Sequence, residues 1–337
     1  MPNVRASDVA TLAGVSRGTV SNYLNHRERV RPAAQERIQR AITALGYVPS
    51  EAGRMLRLGV SQVIGYVVPD PANPFFTTVA AGAEDRAREE GLSVLIANSN
   101  GDRQRELDHV DMFEALRVRG LLIAPVGDLT TRLIRLHDAG IPSVMVGASS
   151  QSPMQSSVGV DDLLGGRIAV EHLAKNGSRR ILFVGGPLSR AQVLDRLTGA
   201  TTAAAELGVT LEVVPTADNT IDEGRRIATA IAVAASSGHP DGIFAANDLL
   251  ALGLVDGFAR SDNLRVPDDV AIIGYDDIAF AASSRIPISS IRPPHEELGR
   301  VAVELLIREL DGDVGESPHI VFPPTLVARE STRRTQL

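Results

Sequence analysis

The chain has 337 residues, a net charge of −7, 44% hydrophobic residues and no cysteine. That length exceeds one ordinary domain, and that apolar content excludes wholesale disorder. The lack of cysteine excludes a disulfide framework and a thiolate metal site. No apolar run approaches a bilayer span, and the first residues, Met-Pro-Asn-Val-Arg-Ala-Ser-Asp, lack the apolar core of a signal peptide. The expected setting is the cytoplasm, with no membrane partner.

The acidity is uneven. Residues 1–60 carry nine arginines against four acids, a charge of +5, which leaves −12 for the remainder. A basic head on an acidic body suits a module that meets phosphates. A basic helix pair with no partner has the same composition.

In the head, Val9, Leu12 and Ala13 form one helical spacing and Val20 and Leu24 another, with Val15 between them. Gly14 can take the positive φ that ends a helix, and Ser16 can cap the next. Two short helices about a glycine turn make a helix-turn-helix. A third helix follows, with Pro32 in its first turn, an inner stripe of Ile38, Ile42 and Leu45, and Gly46 at its end. The second helix, about 17–25, presents Arg17, Gly18, Ser21 and Asn22 outward. Arginine can donate two bonds to guanine and asparagine can pair with adenine, although solvated polar residues at these positions fit the same pattern. Gly14-Val15-Ser16-Arg17-Gly18 also matches the G-x-S-x-G nucleophile elbow. That motif needs a strand before its serine, and here a helix precedes it.

Asp8-Val9-Ala10, Ala13-Gly14-Val15-Ser16, Thr19-Val20-Ser21, Leu24-Asn25 and Leu45-Gly46-Tyr47-Val48-Pro49 together resemble the LacI/GalR family of bacterial repressors. The resemblance implies base reading by Arg17, Gly18 and Asn22 and phosphate contacts from Thr19 and Ser21. Asn25, Arg31 and Arg54 join the expected DNA-binding set. Over residues 49–58 it implies a hinge helix that folds on DNA, with Leu56 as a minor-groove wedge. Read alone, Met55, Leu56 and Leu58 are a linker's apolar residues. Arg5 and Arg31 replace usual caps. Gly53 replaces a usual alanine, at a cost of about 1 kcal/mol of helix stability, so Gly53→Ala should tighten operator binding.

From residue 61 apolar runs alternate with helical stretches. Strands are expected at 63–68, 94–97, 121–124 and 143–146, with helices at 75–90 and near 105–117. The pattern restarts at Ser157, with a helix at 162–176 and strands at 181–184, 242–245 and 270–274. The predicted fold is an all-α helix-turn-helix head plus an α/β body of two doubly wound parallel-sheet lobes, whose facing strand ends form a cleft. The domains are read as 1–48 (DNA binding), 49–60 (hinge) and 61–337 (effector and dimerisation core). The N-lobe is about 61–161 and 293–322, the C-lobe about 162–290 and 323–337.

The body, too, is similar to this family and to periplasmic sugar-binding proteins. Asn73-Pro74-Phe75-Phe76, Gly185-Gly186-Pro187, Ala245-Ala246-Asn247-Asp248 and Gly274-Tyr275-Asp276-Asp277 are among the matches. The expected ligand residues are Asp70, Asn73, Phe75, Phe76, Arg196, Asn247, Asp248 and Asp276. Carboxylates, an amide and a guanidinium can bond ligand hydroxyls, while a Phe covers an apolar face. Helix capping for Asp248, a turn for Asp276, a surface pair for Arg196 and core packing for a Phe are the plainer alternatives. Where many relatives carry Asp-Arg this chain has Gly147-Ala148, and where they often place an aromatic it has Asn219. Arg292 is an extra arginine that favours an anionic ligand, such as a sugar phosphate.

These residues are expected to make a homodimeric repressor of a palindromic operator, controlled by a sugar or sugar derivative and without a cofactor. No heptad tail follows Ser331, which favours a dimer over a tetramer. A binding protein without a DNA role fits the body but not the basic head. A sugar-metabolising enzyme lacks the motifs it needs: there is no H-E-x-x-H or G-x-G-x-x-G, and Lys175, the only lysine, lies outside any Walker loop.

Overall fold

The structure is a computed structural model. It describes residues 4–48, 61–148, 152, 155–234, 238–260, 264–312 and 317–334. The chain divides into a head ending at Ser61 and a body beginning at Gln62. The linker 49–60, with Gly53, Arg54 and Leu56, lies outside the described residues, apart from what its sequence says.

The head is three helices, α1 (Ala6–Ala13), α2 (Arg17–Asn25) and α3 (Pro32–Leu45). Gly14 ends α1 at φ +62° and Gly46 ends α3 at φ +59°, both in the left-handed region that glycine enters without strain. Ser16 caps α2 by accepting the Thr19 backbone N–H at 3.1 Å. Val9, Ala10, Ala13, Val20, Tyr23, Val30, Ile38 and Ala41 close the core. Leu12 departs from its expected place and is 57% exposed. The short α1 turns Val9, Ala10 and Ala13 inward, and Leu12 falls outside that arc.

The body has two six-stranded sheets. The N-lobe contains β1 (Val63–Val68), α4 (Pro74–Glu89), β2 (Ser93–Asn98), α5 (Arg103–Ala115), β3 (Gly120–Ile123), α6 (Thr130–Asp138), β4 (Ser143–Val146) and β5 (Ser157–Val160). The C-lobe follows with α7 (Asp162–Lys175), β6 (Arg180–Gly185), α8 (Ala191–Leu207), β7 (Thr210–Pro215), α9 (Ile221–Ala234), β8 (Gly242–Ala245), α10 (Asp248–Ala259), β9 (Ala271–Tyr275), α11 (Ala279–Ser283) and β10 (Ser289–Arg292). The chain then returns to the N-lobe as α12 (His295–Leu310) and β11 (His319–Phe322), and crosses last into β12 (Thr325–Val327).

The strand orders are β11-β5-β4-β3-β1-β2 and β12-β10-β9-β8-β6-β7. Every pairing is parallel except β12 on β10. The central strands are buried on both faces, which is why β1, β3 and β8 read as continuous apolar runs. In the N-lobe, α4 and α12 cover one face of the sheet and α5 and α6 the other. The crossings after β5, β10 and β11 bring the carboxyl ends of both sheets to one cleft, the usual ligand position in open α/β sheets.

Candidate functional sites in the head and the inter-lobe cleft

On α2, Arg17, Gly18 and Asn22 are exposed, while Val20 and Tyr23 point into the core. Ser21 is half-buried and Thr19 turns its hydroxyl to that of Ser16 at 2.9 Å. Asn25 folds back, donating from Nδ2 to the Ser21 carbonyl at 2.6 Å. Arg31 is exposed at the start of α3, whose first turn has no side-chain cap. At the start of α1, the Arg5 backbone N–H donates to Asp8 at 2.8 Å, so Asp8 supplies part of what a capping serine would. The chemistry offered is a guanidinium, an amide and a side-chain-free position on one exposed stripe, which suits base edges in a major groove.

In the body, the structure brings Asn73 of the N-lobe together with Arg196, Tyr275 and Asp276 of the C-lobe, while Phe75 and Phe76 follow Asn73 in the first turn of α4. Asn73 caps α4 by accepting the Phe75 N–H, and its Nδ2 donates across the cleft to Asp276 at 3.1 Å. Asp276 follows β9 with φ +93°, and Asp277 with φ +50°. Successive left-handed residues that are not glycine store strain, a feature that clusters at ligand sites. Phe75 packs into the N-lobe core and meets Phe76 edge-on at 5.0 Å, leaving Phe76 half-buried.

Arg196 is the best-held group of the cleft. Its Nε donates to Asp162 at 2.8 Å, its Nη1 donates to the Ala246 carbonyl at 2.6 Å, and Asp276 lies 3.8 Å away. Its guanidinium sits 3.5 Å above the centre of the Tyr275 ring. Burial works against its charge, but Asp162, Tyr275 and Asp276 outweigh burial and hold it protonated. Burial pushes the Asp162 carboxyl up, and Arg196 draws it part of the way back.

Other expected ligand residues are occupied inside the protein. Asp248 is fully buried; one carboxylate oxygen accepts from Ser290 at 2.7 Å and the other from the Ile278 N–H at 2.9 Å. Burial raises its pKa well above the carboxylate range, and the nearby Asp276 adds to that. It therefore ties α10 to the loop after β9. Asn247 caps α10 at Leu250 and donates to the Asn219 carbonyl at 3.1 Å. Asp70 closes a local turn onto the Ala72 N–H at 2.9 Å. Arg292 does not present a free charge: its Nε donates to Asp277 at 2.5 Å, and Arg329 donates to the other oxygen at 2.6 Å.

Sequence reasoning missed Asp162, Tyr275 and Gln192. Gln192 donates from Nε2 to the Gly147 carbonyl at 2.8 Å, a second bond between the lobes. The absence of the usual Asp-Arg pair after β4 was the available signal, since it leaves a backbone oxygen where a side chain is expected. Among the described residues, no three His, Asp or Glu side chains converge as a metal site, and no helix is long and apolar enough to cross a membrane.

The chain matches the lacI family of bacterial regulatory proteins over residues 7–50 and the periplasmic binding protein-like domain over residues 170–332. It is 30% identical to the HTH-type transcriptional repressor PurR of Photobacterium profundum, over 97% of this chain and 98% of that one. It is equally 30% identical to the ribose operon repressor of Escherichia coli, over 96% and 98%. Among solved structures, a lac repressor dimer bound to operator and the anti-inducer ONPF superposes with a TM-score of 0.81 at 27% identity, over 98% of this chain and 99% of that one. A CelR–cellobiose complex gives 0.72 at 30% identity, over 97% and 99%. Head and body match such regulators along nearly their whole length: the chain belongs to the lacI family and is a DNA-binding transcriptional repressor with a ligand-binding body, not an enzyme.

Proposed function

We propose that this repressor binds a palindromic operator as a cytoplasmic homodimer and releases or gains affinity when a sugar or sugar derivative enters the inter-lobe cleft. The observation that carries the effector reading is the buried cluster at the strand ends. Arg196, held by Asp162 and stacked on Tyr275, faces Asp276, and Asn73 bonds Asp276 from the opposite lobe. Fixed donors and acceptors at the strand ends suit a polar ring. A ribose-bound regulator from Enterococcus faecium, 26% identical with a TM-score of 0.72 over 81% of this chain, supports a sugar. So does the cellobiose of the CelR complex.

Arg17, Gly18 and Asn22 read bases in this account, while Thr19, Ser21, Asn25 and Arg31 meet phosphates. Arg54 and Leu56 act from the hinge, and the domain boundaries follow the reading above. A second copy has an apolar surface available at the N-lobe edge, where Leu95 and Ile96 of β2 and Met112 of α5 are exposed. The ligand acts by linkage: it binds one lobe arrangement better than the other. Moving the population from 1:99 to 99:1 takes about 5.5 kcal/mol of differential affinity.

The test is a thermal-shift screen of ribose, cellobiose, ribose 5-phosphate and adenine, followed by operator binding with each stabilising compound. A sugar that raises the melting temperature and changes operator affinity supports the reading. Stabilisation by adenine alone would replace the sugar with a nucleobase.

A further inference from the structure

Helix α7 contains two adjacent glycines, Gly165 and Gly166, both buried. Glycine in a helix interior is destabilising relative to alanine, so a pair there needs a reason. The surroundings supply one for each. A Cβ on Gly165 would run into the Tyr275 ring, with the hydroxyl nearest and Cε2 at 2.6 Å. A Cβ on Gly166 would run into the Arg196 carbonyl of α8, with the carbonyl carbon at 2.8 Å and the Ala200 nitrogen at 3.0 Å. Gly199 on α8 reciprocates, since a Cβ there would strike the backbone of Leu163, whose carbonyl carbon is 2.7 Å away.

We propose that Gly165-Gly166 is a socket that positions Arg196 for the effector. This rests on the reading of Arg196 as an effector-binding residue. Gly166 sets how closely the Arg196 backbone approaches α7, and so whether its Nε reaches Asp162, four residues earlier on that helix, at 2.8 Å. Gly165 sets the depth of Tyr275, and so the height of the ring on which the guanidinium lies at 3.5 Å. Neither glycine touches the ligand. Both are positioning residues, and a side chain at either site moves the guanidinium without removing it.

The experiment follows the Arg196 Nε–H resonance in the 15N-labelled full chain, assigned by its loss in Arg196→Lys. The guanidinium carbon lies 3.5 Å over an aromatic ring and Nε–H donates to Asp162, so the shift responds both to the height of the stack and to that bond. In Gly166→Ala the resonance should move by more than its linewidth. Gly82→Ala is the matched control: its Cβ would collide with the Glu296 backbone of α12, with Cα at 2.8 Å. It should lower the melting temperature and leave the resonance in place. If Gly166→Ala does not fold, Gly165→Ala carries the same comparison, because the three atoms nearest its Cβ all belong to Tyr275. An unmoved resonance in the folded socket variant, or an equal movement in Gly82→Ala, overturns the proposal. No effector is needed for this readout. If no screened sugar stabilises the wild type, the effector reading falls while the socket is still decided by the resonance.

Discussion

On the recognition helix, Arg17, Gly18 and Asn22 stand exposed to solvent. In the cleft, the Arg196 and Asp276 side chains are 11% and 6% exposed, and their bonds within the protein are already formed. The difference follows from what each region meets. DNA brings its own phosphates and base edges, so the head gains by keeping donors free. A small effector brings few groups and little surface, so the cleft gains by fixing its donors and acceptors beforehand. The same split appears in backbone strain. The head bends at glycines, whereas the cleft forces Asp276 and Asp277 into left-handed conformations.

The contrast breaks first if a cleft charge proves dispensable for stability. Asp162→Ala removes the nearest carboxylate from the buried Arg196 guanidinium, leaving Asp276 at 3.8 Å, and should lower unfolding free energy by about 3 kcal/mol. Chemical denaturation checks this, and a loss below 1 kcal/mol, as for a surface pair, would put Arg196 in the same class as the head's arginines. Conversely, Arg17→Ala should leave stability unchanged and weaken operator binding by roughly 1–3 kcal/mol per half-site. Fluorescence anisotropy on a mapped operator measures it. Asp276→Asn keeps a residue that tolerates positive φ and removes the charge. It should cost the effector roughly 1.5 kcal/mol, about tenfold, with ligand-free operator affinity kept. Isothermal titration with the stabilising sugar decides.

A pH effect separates the regions further. Burial lowers the pKa of His172, whose Nε2 lies 2.7 Å from Thr332 Oγ1. The unfolded chain then binds the extra proton first, so body stability should fall as pH drops through 6.5 toward the folded value. The slope is at most about 1.4 kcal/mol per pH unit. Melts of wild type and His172→Gln test this; equal slopes would remove His172 as the cause. The smallest expected effect is Arg31→Ser. A serine there caps α3 and should stabilise the head by about 1 kcal/mol, while loss of the phosphate contact reduces the salt slope by about 1.8 per dimer. Stabilisation with an unchanged slope would place Arg31 away from DNA.

What could be read from the residues follows the same division. The head is local: Gly14, Ser16 and Gly46 act within a few positions of themselves, and the helix boundaries follow from them. The strands β1, β3, β4, β6, β8 and β9 were legible as apolar runs, but the interior strands β5 and β10 were not, because Ser157, Ser289 and Ser290 interrupt theirs. The edge strand β7 was not, since its exposed face removes that run. In the cleft, Asp276 could be placed after a strand, but its bond to Asn73 spans 203 positions. The fates of Asp248 and Arg292 depended on Ser290 and Asp277, partners that no spacing rule supplies. Tyr275 gave no signal because a tyrosine ending a buried strand looks like core until an arginine is found above it.

The account turns on α2 reading DNA under the control of the cleft. The most direct measurement is selection of genomic fragments by this repressor, with each enriched site titrated with and without the sugar found in the thermal screen. The account predicts a palindromic site that Arg17→Ala no longer selects, and an affinity that the sugar changes in wild type but not in Asp276→Asn. Enrichment without a palindrome, or a wild-type affinity indifferent to every stabilising ligand, would contradict it.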